Sequence, residues 1–92
     1  MDTLQQLNDT LIKRKLEDPS TSYVASLYQG GVNKIAQKVG EEGVEVALAA
    51  VQGDNSRTVS EAADLMYHLI VLLTDAGLSL DELAKELAAR HR

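Results

Sequence analysis

Apolar residues recur along most of the chain at the spacing of a helix. Leu4, Leu7, Leu11 and Ile12 fall at i, i+3, i+7 and i+8, which predicts a first helix from about Leu4 to Leu16. Thr3 followed by Gln6 reads as a capping box at its start. The segment EDPSTS, with the single proline Pro19, breaks it. A short helix follows from Tyr23 to Gln29, capped by Ser22. It is stopped by Gly30 and Gly31, which tolerate left-handed backbone angles. The longest pattern runs from about Val32 to Gln52 and ends at Gly53. Asp54, Asn55 and Ser56 make the turn and the next cap, and the fourth helix runs to about Asp75 with its stop at Gly77. Ser79 with Glu82 forms another capping box, and Leu80, Leu83, Ala84 and Leu87 place a last helix. No stretch alternates with period two, and no repeat or linker interrupts the pattern. The expected architecture is all-α: one domain over residues 1–92, four to five helices and antiparallel neighbours.

Composition narrows this picture. The chain has 92 residues, 45% of them apolar, with no Phe or Trp and three Tyr, so its core must be aliphatic. A small aliphatic core gives limited stability, which favours a homodimer completing the bundle. The absence of cysteine excludes disulfides and thiolate metal sites and fits a cytoplasmic setting. The start, MDTLQQLNDT, is polar and unlike a signal peptide. The apolar run Leu65 to Leu73 falls short of the roughly 20 residues of a membrane span. A net charge of −5 without a basic stripe argues against nucleic acid as a partner. It remains compatible with a nucleotide substrate accompanied by metal ions.

Charge placement carries the chemistry. KVGEEGVEVALAA sets Glu41, Glu42 and Glu45 on two turns, although like charges at i, i+4 cost an isolated helix roughly 0.2–0.5 kcal/mol per pair. At about 100° per residue, Lys34, Lys38, Glu42 and Glu45 share one side with Glu41, bordering the apolar stripe of Ile35, Val39, Val46 and Ala50. On the fourth helix Glu61, Asp64 and His68 form a narrow polar stripe on a helix otherwise apolar nearly all round, a pattern that implies burial on several sides. Glu45 lies about nine residues before the turn at Gly53–Asn55 and Glu61 about seven after it, so antiparallel helices bring the two acidic clusters to similar depth. Four or five carboxylates in one groove suit a hard cation, Mg²⁺ or Mn²⁺.

Simpler readings stand beside this one. Glu41, Glu42 and Glu45 can be a solvated face paired with Lys38, although Lys before Glu is the weaker orientation. Asp64 and His68 can be a hydrogen-bonded structural pair. Glu61-x-x-Asp64 replaces the Glu-x-x-His of ferritin-like sites, and no second histidine lies near, which discounts an iron oxidase. No cysteine, G-x-S-x-G or Walker motif is present. GGVNK at 30–34 either offers backbone N–H groups to an anion or is a glycine stop and a new helix start.

SYVASLYQGG, KIAQKVGEEGVEVALAA and EAADLMYHLIVLL together resemble the phosphoribosyl-ATP pyrophosphohydrolase family, among the all-α nucleotide pyrophosphohydrolases related to MazG. The shared pattern is E-E-x-x-E, a gap, then E-x-x-D, supplied here by Glu41, Glu42, Glu45, Glu61 and Asp64. The resemblance covers nearly the whole chain. It implies the second step of histidine biosynthesis: phosphoribosyl-ATP plus water gives phosphoribosyl-AMP and pyrophosphate, with the following cyclohydrolase step on a separate chain.

On that reading Glu42, Glu45, Glu61 and Asp64 are metal ligands. Glu41 orients or deprotonates the water, or is a fifth ligand or a solvated neighbour. Lys34 and Lys38 are the phosphate candidates. Lys13, Arg14 and Lys15 either reach phosphate or cap the first helix. Ser22 and Tyr23 contact substrate, with Tyr23 as a packing residue the alternative. Two other functions compete: a pyrophosphatase for free or damaged nucleoside triphosphates, and a non-catalytic helical dimerisation module.

Overall fold

A computed structural model describes residues 2–90, of which Asp2 is described by its backbone alone. Five α-helices account for most of them: α1 (Asp2–Lys13), α2 (Tyr23–Gly30), α3 (Val32–Val51), α4 (Asn55–Asp75) and α5 (Leu80–Ala89). No strand occurs among the described residues, so the all-α expectation is met. The first helix differs from its pattern at both ends. Thr3 lies inside α1, so the helix begins before the expected capping box. At the other end the coil tightens into a 3-10 turn, Arg14–Leu16.

The other boundaries have local causes. The Ser22 hydroxyl accepts the Ala25 N–H at 3.2 Å, and the Asp54 carboxylate accepts the Arg57 N–H at 3.0 Å. Ser79 and Glu82 close a full capping box. Each such cap is worth about 1 kcal/mol. The turn after α3 is a Schellman motif: the Asp54 N–H reaches the Ala49 carbonyl and the Gly53 N–H reaches that of Ala50. That geometry puts Gly53 at φ +73°, where a side chain would be strained.

Among the described residues, six larger side chains form the buried core cluster: Leu11 from α1, Val24 and Leu27 from α2, Ile35 from α3, and Ile70 and Val71 from α4. Burial of each contributes roughly 1.5–3 kcal/mol. They gather at one end, on the first half of α3 and the second half of α4. Toward the Gly53 turn Ala49 is buried, but Val44, Leu48, Val51 and Val59 are exposed. α3 and α4 run antiparallel: Glu45 of α3 meets Arg57 of α4, and three residues back Glu42 meets Glu61, four residues on. The α5 helix buries none of its residues and borders an apolar hollow with Leu4 and Met66. Among the described residues no single helix is long and apolar enough to cross a membrane.

Candidate active site

The antiparallel register brings three carboxylates together. One oxygen each of Glu42, Glu61 and Asp64 lies within 4.8 Å of the others. Glu42 comes from the middle of α3, Glu61 and Asp64 from successive turns of α4. Asp64 is exposed, and the two glutamates are partly buried. Desolvation pushes the Glu61 carboxyl above the ordinary glutamate range, and the negative charges of Glu42, Asp64 and Glu45 push it the same way. The close approach of the Glu42 side chain adds to the effect. A divalent cation would relieve the same repulsion. The all-oxygen donor set is the kind Mg²⁺ and Mn²⁺ take, so these residues fit such an ion.

Glu45, the fourth expected ligand, is engaged elsewhere. Its Oε2 accepts a hydrogen bond from Arg57 Nη2 at 2.8 Å, and Arg57 Nη1 donates to Gln52 Oε1 at 3.1 Å. Sequence reasoning passed over Arg57. Counting outward from the turn did not reveal it, because that count set Glu45 level with Glu61, whereas in the structure Glu45 meets Arg57 and Glu42 meets Glu61.

Glu41 lies outside the three-carboxylate group. It sits on an exposed flank where Gln37 Nε2 donates to it at 3.2 Å and the Lys38 ammonium stands 3.9 Å away. Lys34, Lys38 and Glu41 line an open hollow with Gly30, Asn33 and Gln37. Lys34 and Lys38 were expected beside the glutamates; Asn33 and Gln37 join them from the same helix without any charge to mark them in the sequence. The apolar hollow beside α5 contains none of the candidate site residues.

Behind the carboxylates stands an aromatic group. The Tyr23 hydroxyl is 2.7 Å from His68 Nε2, and His68 Nδ1 is 2.8 Å from the Asp64 carbonyl oxygen. Burial, followed by the nearby charges of Glu42 and Asp64, raises the Tyr23 phenol above its ordinary value. The phenol therefore keeps its proton and donates to Nε2, which leaves Nδ1–H to donate to Asp64. His68, 6% exposed, is thus a satisfied structural histidine. Its partner is the backbone of Asp64, so the Asp64 carboxylate remains with the acidic group. Tyr23 is 52% exposed and stacks on Tyr67 at 6.4 Å, so it both packs and faces solvent. Ser22, next to it, is occupied as the α2 cap.

The basic run divides. Lys15 lies 5.0 Å over the Tyr28 ring and donates to the Thr74 carbonyl at 3.4 Å, at the C-terminal end of α4 rather than of α1. Arg14 pairs loosely with Glu17 at 4.0 Å, and its charge acts on the Tyr67 phenol. Lys13 is exposed on the last turn of α1.

Comparison with known proteins adds an independent line. The family model for phosphoribosyl-ATP pyrophosphohydrolase matches residues 4–91. The chain is 59% identical over 88 residues to the histidine biosynthesis bifunctional protein HisIE of Photobacterium profundum, covering 96% of this chain and 42% of that protein. The Vibrio cholerae protein of the same name is 56% identical over 89 residues, 97% of this chain and 42% of its own length. That of Escherichia coli is 55% identical over 89 residues, at 97% and 44%. The chain thus spans less than half the length of these relatives. Because they are bifunctional, they lend no support to the expectation of a separate chain for the next step. Matched over residues 4–91, and with Glu42 of the E-E-x-x-E pattern meeting Glu61 and Asp64 of E-x-x-D across two helices, the chain belongs to the phosphoribosyl-ATP pyrophosphohydrolase family.

Proposed function

We propose that the chain catalyses the pyrophosphohydrolase step of histidine biosynthesis, converting phosphoribosyl-ATP and water to phosphoribosyl-AMP and pyrophosphate with Mg²⁺, or Mn²⁺ in its place. The observation that carries this reading is the convergence of Glu42, Glu61 and Asp64 in a member of this family. These three hold the cation, and Glu45 completes the set. When bound there, a divalent cation neutralises phosphoryl oxygens and favours the departure of pyrophosphate.

The chain's own residues do the rest. Lys34 and Lys38 bind the polyphosphate along the open hollow, with Asn33 and Gln37 as hydrogen-bond donors beside them. Glu41, at the edge of the same hollow, orients the attacking water and takes its proton as the new P–O bond forms and the anhydride P–O bond breaks. Tyr23, fixed through His68, presents its half-exposed ring and hydroxyl to the nucleoside end of the substrate. Ser22 sets the start of α2 and hence the position of Tyr23. Arg14 and Lys13 add positive charge on the side of Tyr67.

A second copy of the chain covers the turn end of the hairpin. Val44, Leu48 and Val51 fall at i, i+4 and i+7 on one face of α3 and are all exposed, as is Val59 on α4. Such a contiguous apolar face on a small domain is the kind an oligomer buries. A cytoplasmic setting fits the absence of cysteine.

The test is a substrate panel. Pyrophosphate release is followed with phosphoribosyl-ATP, ATP and dUTP, each with Mg²⁺. Release confined to phosphoribosyl-ATP supports the proposal. Release chiefly from ATP or dUTP moves the chain to a general nucleotide pyrophosphatase, and a folded chain inert on all three leaves the dimerisation module.

A further inference from the structure

Arg57 belongs to neither half of the acidic pattern, yet it holds one of its five carboxylates. Glu45 lies one turn along α3 from Glu42, and Arg57 lies one turn along α4 before Glu61. Arg57 is held at three points, two on its guanidinium and one on its backbone. Its Nη2 donates to Glu45 at 2.8 Å, its Nη1 donates to Gln52 at 3.1 Å, and its backbone N–H is capped by Asp54 at 3.0 Å. Glu45 is therefore drawn toward the turn, beside the group that Glu42, Glu61 and Asp64 form.

Building on the cation site proposed above, we propose that Arg57 competes with the divalent cation for the Glu45 carboxylate. Arg57 thereby sets the cation concentration at which the fourth carboxylate joins the other three. Both partners are about two-fifths exposed at the side chain, 38% for Arg57 and 44% for Glu45. Pairs this open are worth ~0.2–1 kcal/mol, so a doubly charged ion can displace the guanidinium, but at a measurable loss of affinity. That range corresponds to about a 1.5- to 5-fold weaker apparent cation affinity, since 1.4 kcal/mol is tenfold. Arg57 is in this sense a positioning residue: it acts on the cation through Glu45. Once released, the guanidinium stands at the rim of the acidic group.

Binding itself is the direct test, by calorimetric titration of Mn²⁺ into the full chain with no substrate present. Arg57→Gln is expected to bind Mn²⁺ about 1.5- to 5-fold more tightly than the wild type. Gln52→Ala, which frees the other side of the guanidinium without changing net charge, is expected to shift affinity in the same direction by less. In a Glu45→Gln background the Arg57→Gln gain should largely vanish, because the carboxylate competed for is gone. Circular dichroism melts confirm that each variant is folded. Unchanged or weaker binding in a folded Arg57→Gln overturns the proposal. So does an equal gain with and without Glu45, which would mark simple charge repulsion. If the wild type itself binds no Mn²⁺, the cation site fails along with this inference; wild-type binding with no Arg57 effect sinks the inference alone.

Discussion

At one end of the α3–α4 hairpin Ile35, Ile70 and Val71 are sealed beneath Leu11, Val24 and Leu27. At the other, Val44, Leu48, Val51 and Val59 face solvent. The same two helices are thus packed at the end reached by α1 and α2 and open at the end with the turn. The three facing carboxylates sit between, where packing gives way to exposure. The packed end holds the helices in the register that makes Glu42 meet Glu61. The turn end adds Arg57, Gln52 and Asp54 as a polar clamp where no core exists. Acidic residues gathered on a firm frame beside an uncovered apolar face make sense together if a second copy covers that face.

The contrast can be broken most sharply by truncating each end. Ile70→Ala at the sealed end is expected to destabilise the chain by about 2–5 kcal/mol in denaturant melts. Val51→Ala at the open end, where the side chain is 85% exposed, should change monomer stability by no more than ~0.5 kcal/mol. Equal losses at both ends would erase the distinction. Leu48→Glu sharpens the open end further. Placed in the proposed contact it should weaken self-association by about tenfold or more in analytical ultracentrifugation while leaving helix content intact; tenfold is 1.4 kcal/mol. Next in size is the turn cap: Asp54→Ala should cost ~1 kcal/mol, read as a lower unfolding midpoint.

Smallest is the effect of Glu61→Gln on the cation-free chain. The Glu61 carboxyl is raised in the fold, chiefly by desolvation and then by its acidic neighbours. Its contribution to stability is therefore present below the ordinary glutamate value and lost as pH rises through the raised one. Above that window the charged side chain weighs against the fold, so Glu61→Gln should melt slightly higher than the wild type. The two melting curves should converge in acid. Saturating Mn²⁺ should reverse the order, raising the wild type and leaving the variant nearly unmoved.

Much of the fold was legible because it is written in local chemistry. Ser22, Asp54 and Ser79 cap helices where their spacing placed them, and Gly53 and Gly77 end α3 and α4. Helix period and turn position set the two acidic clusters at similar depth, but they matched Glu45 with Glu61, whereas the structure has Glu42 meet Glu61 and Asp64. Thr3 misled because a capping box also occurs by chance inside a helix. The 3-10 turn at Arg14–Leu16 keeps the apolar spacing of an α-helix, so period could not separate the two. Partners that depend on side-chain direction stayed hidden. The spacing of Asp64 and His68 is equally consistent with a carboxylate or a carbonyl partner, and only the Tyr23 hydroxyl on the other ring nitrogen settles the arrangement. The Arg57–Glu45 pair joins two helices across a turn, and no local pattern marks it.

Carboxylates on facing helices either do chemistry or decorate a surface. The most direct measurement is pyrophosphate release from phosphoribosyl-ATP across an Mg²⁺ titration, comparing the wild type with Asp64→Asn. That change removes one charge from the acidic group and leaves the backbone carbonyl that holds His68 untouched. Mg²⁺-dependent turnover is expected in the wild type, with a loss on the order of 10²–10³-fold in the variant, the scale of removing one electrostatic stabiliser of the transition state. Undiminished turnover by Asp64→Asn, or turnover by the wild type that ignores Mg²⁺, would contradict a role in the chemistry.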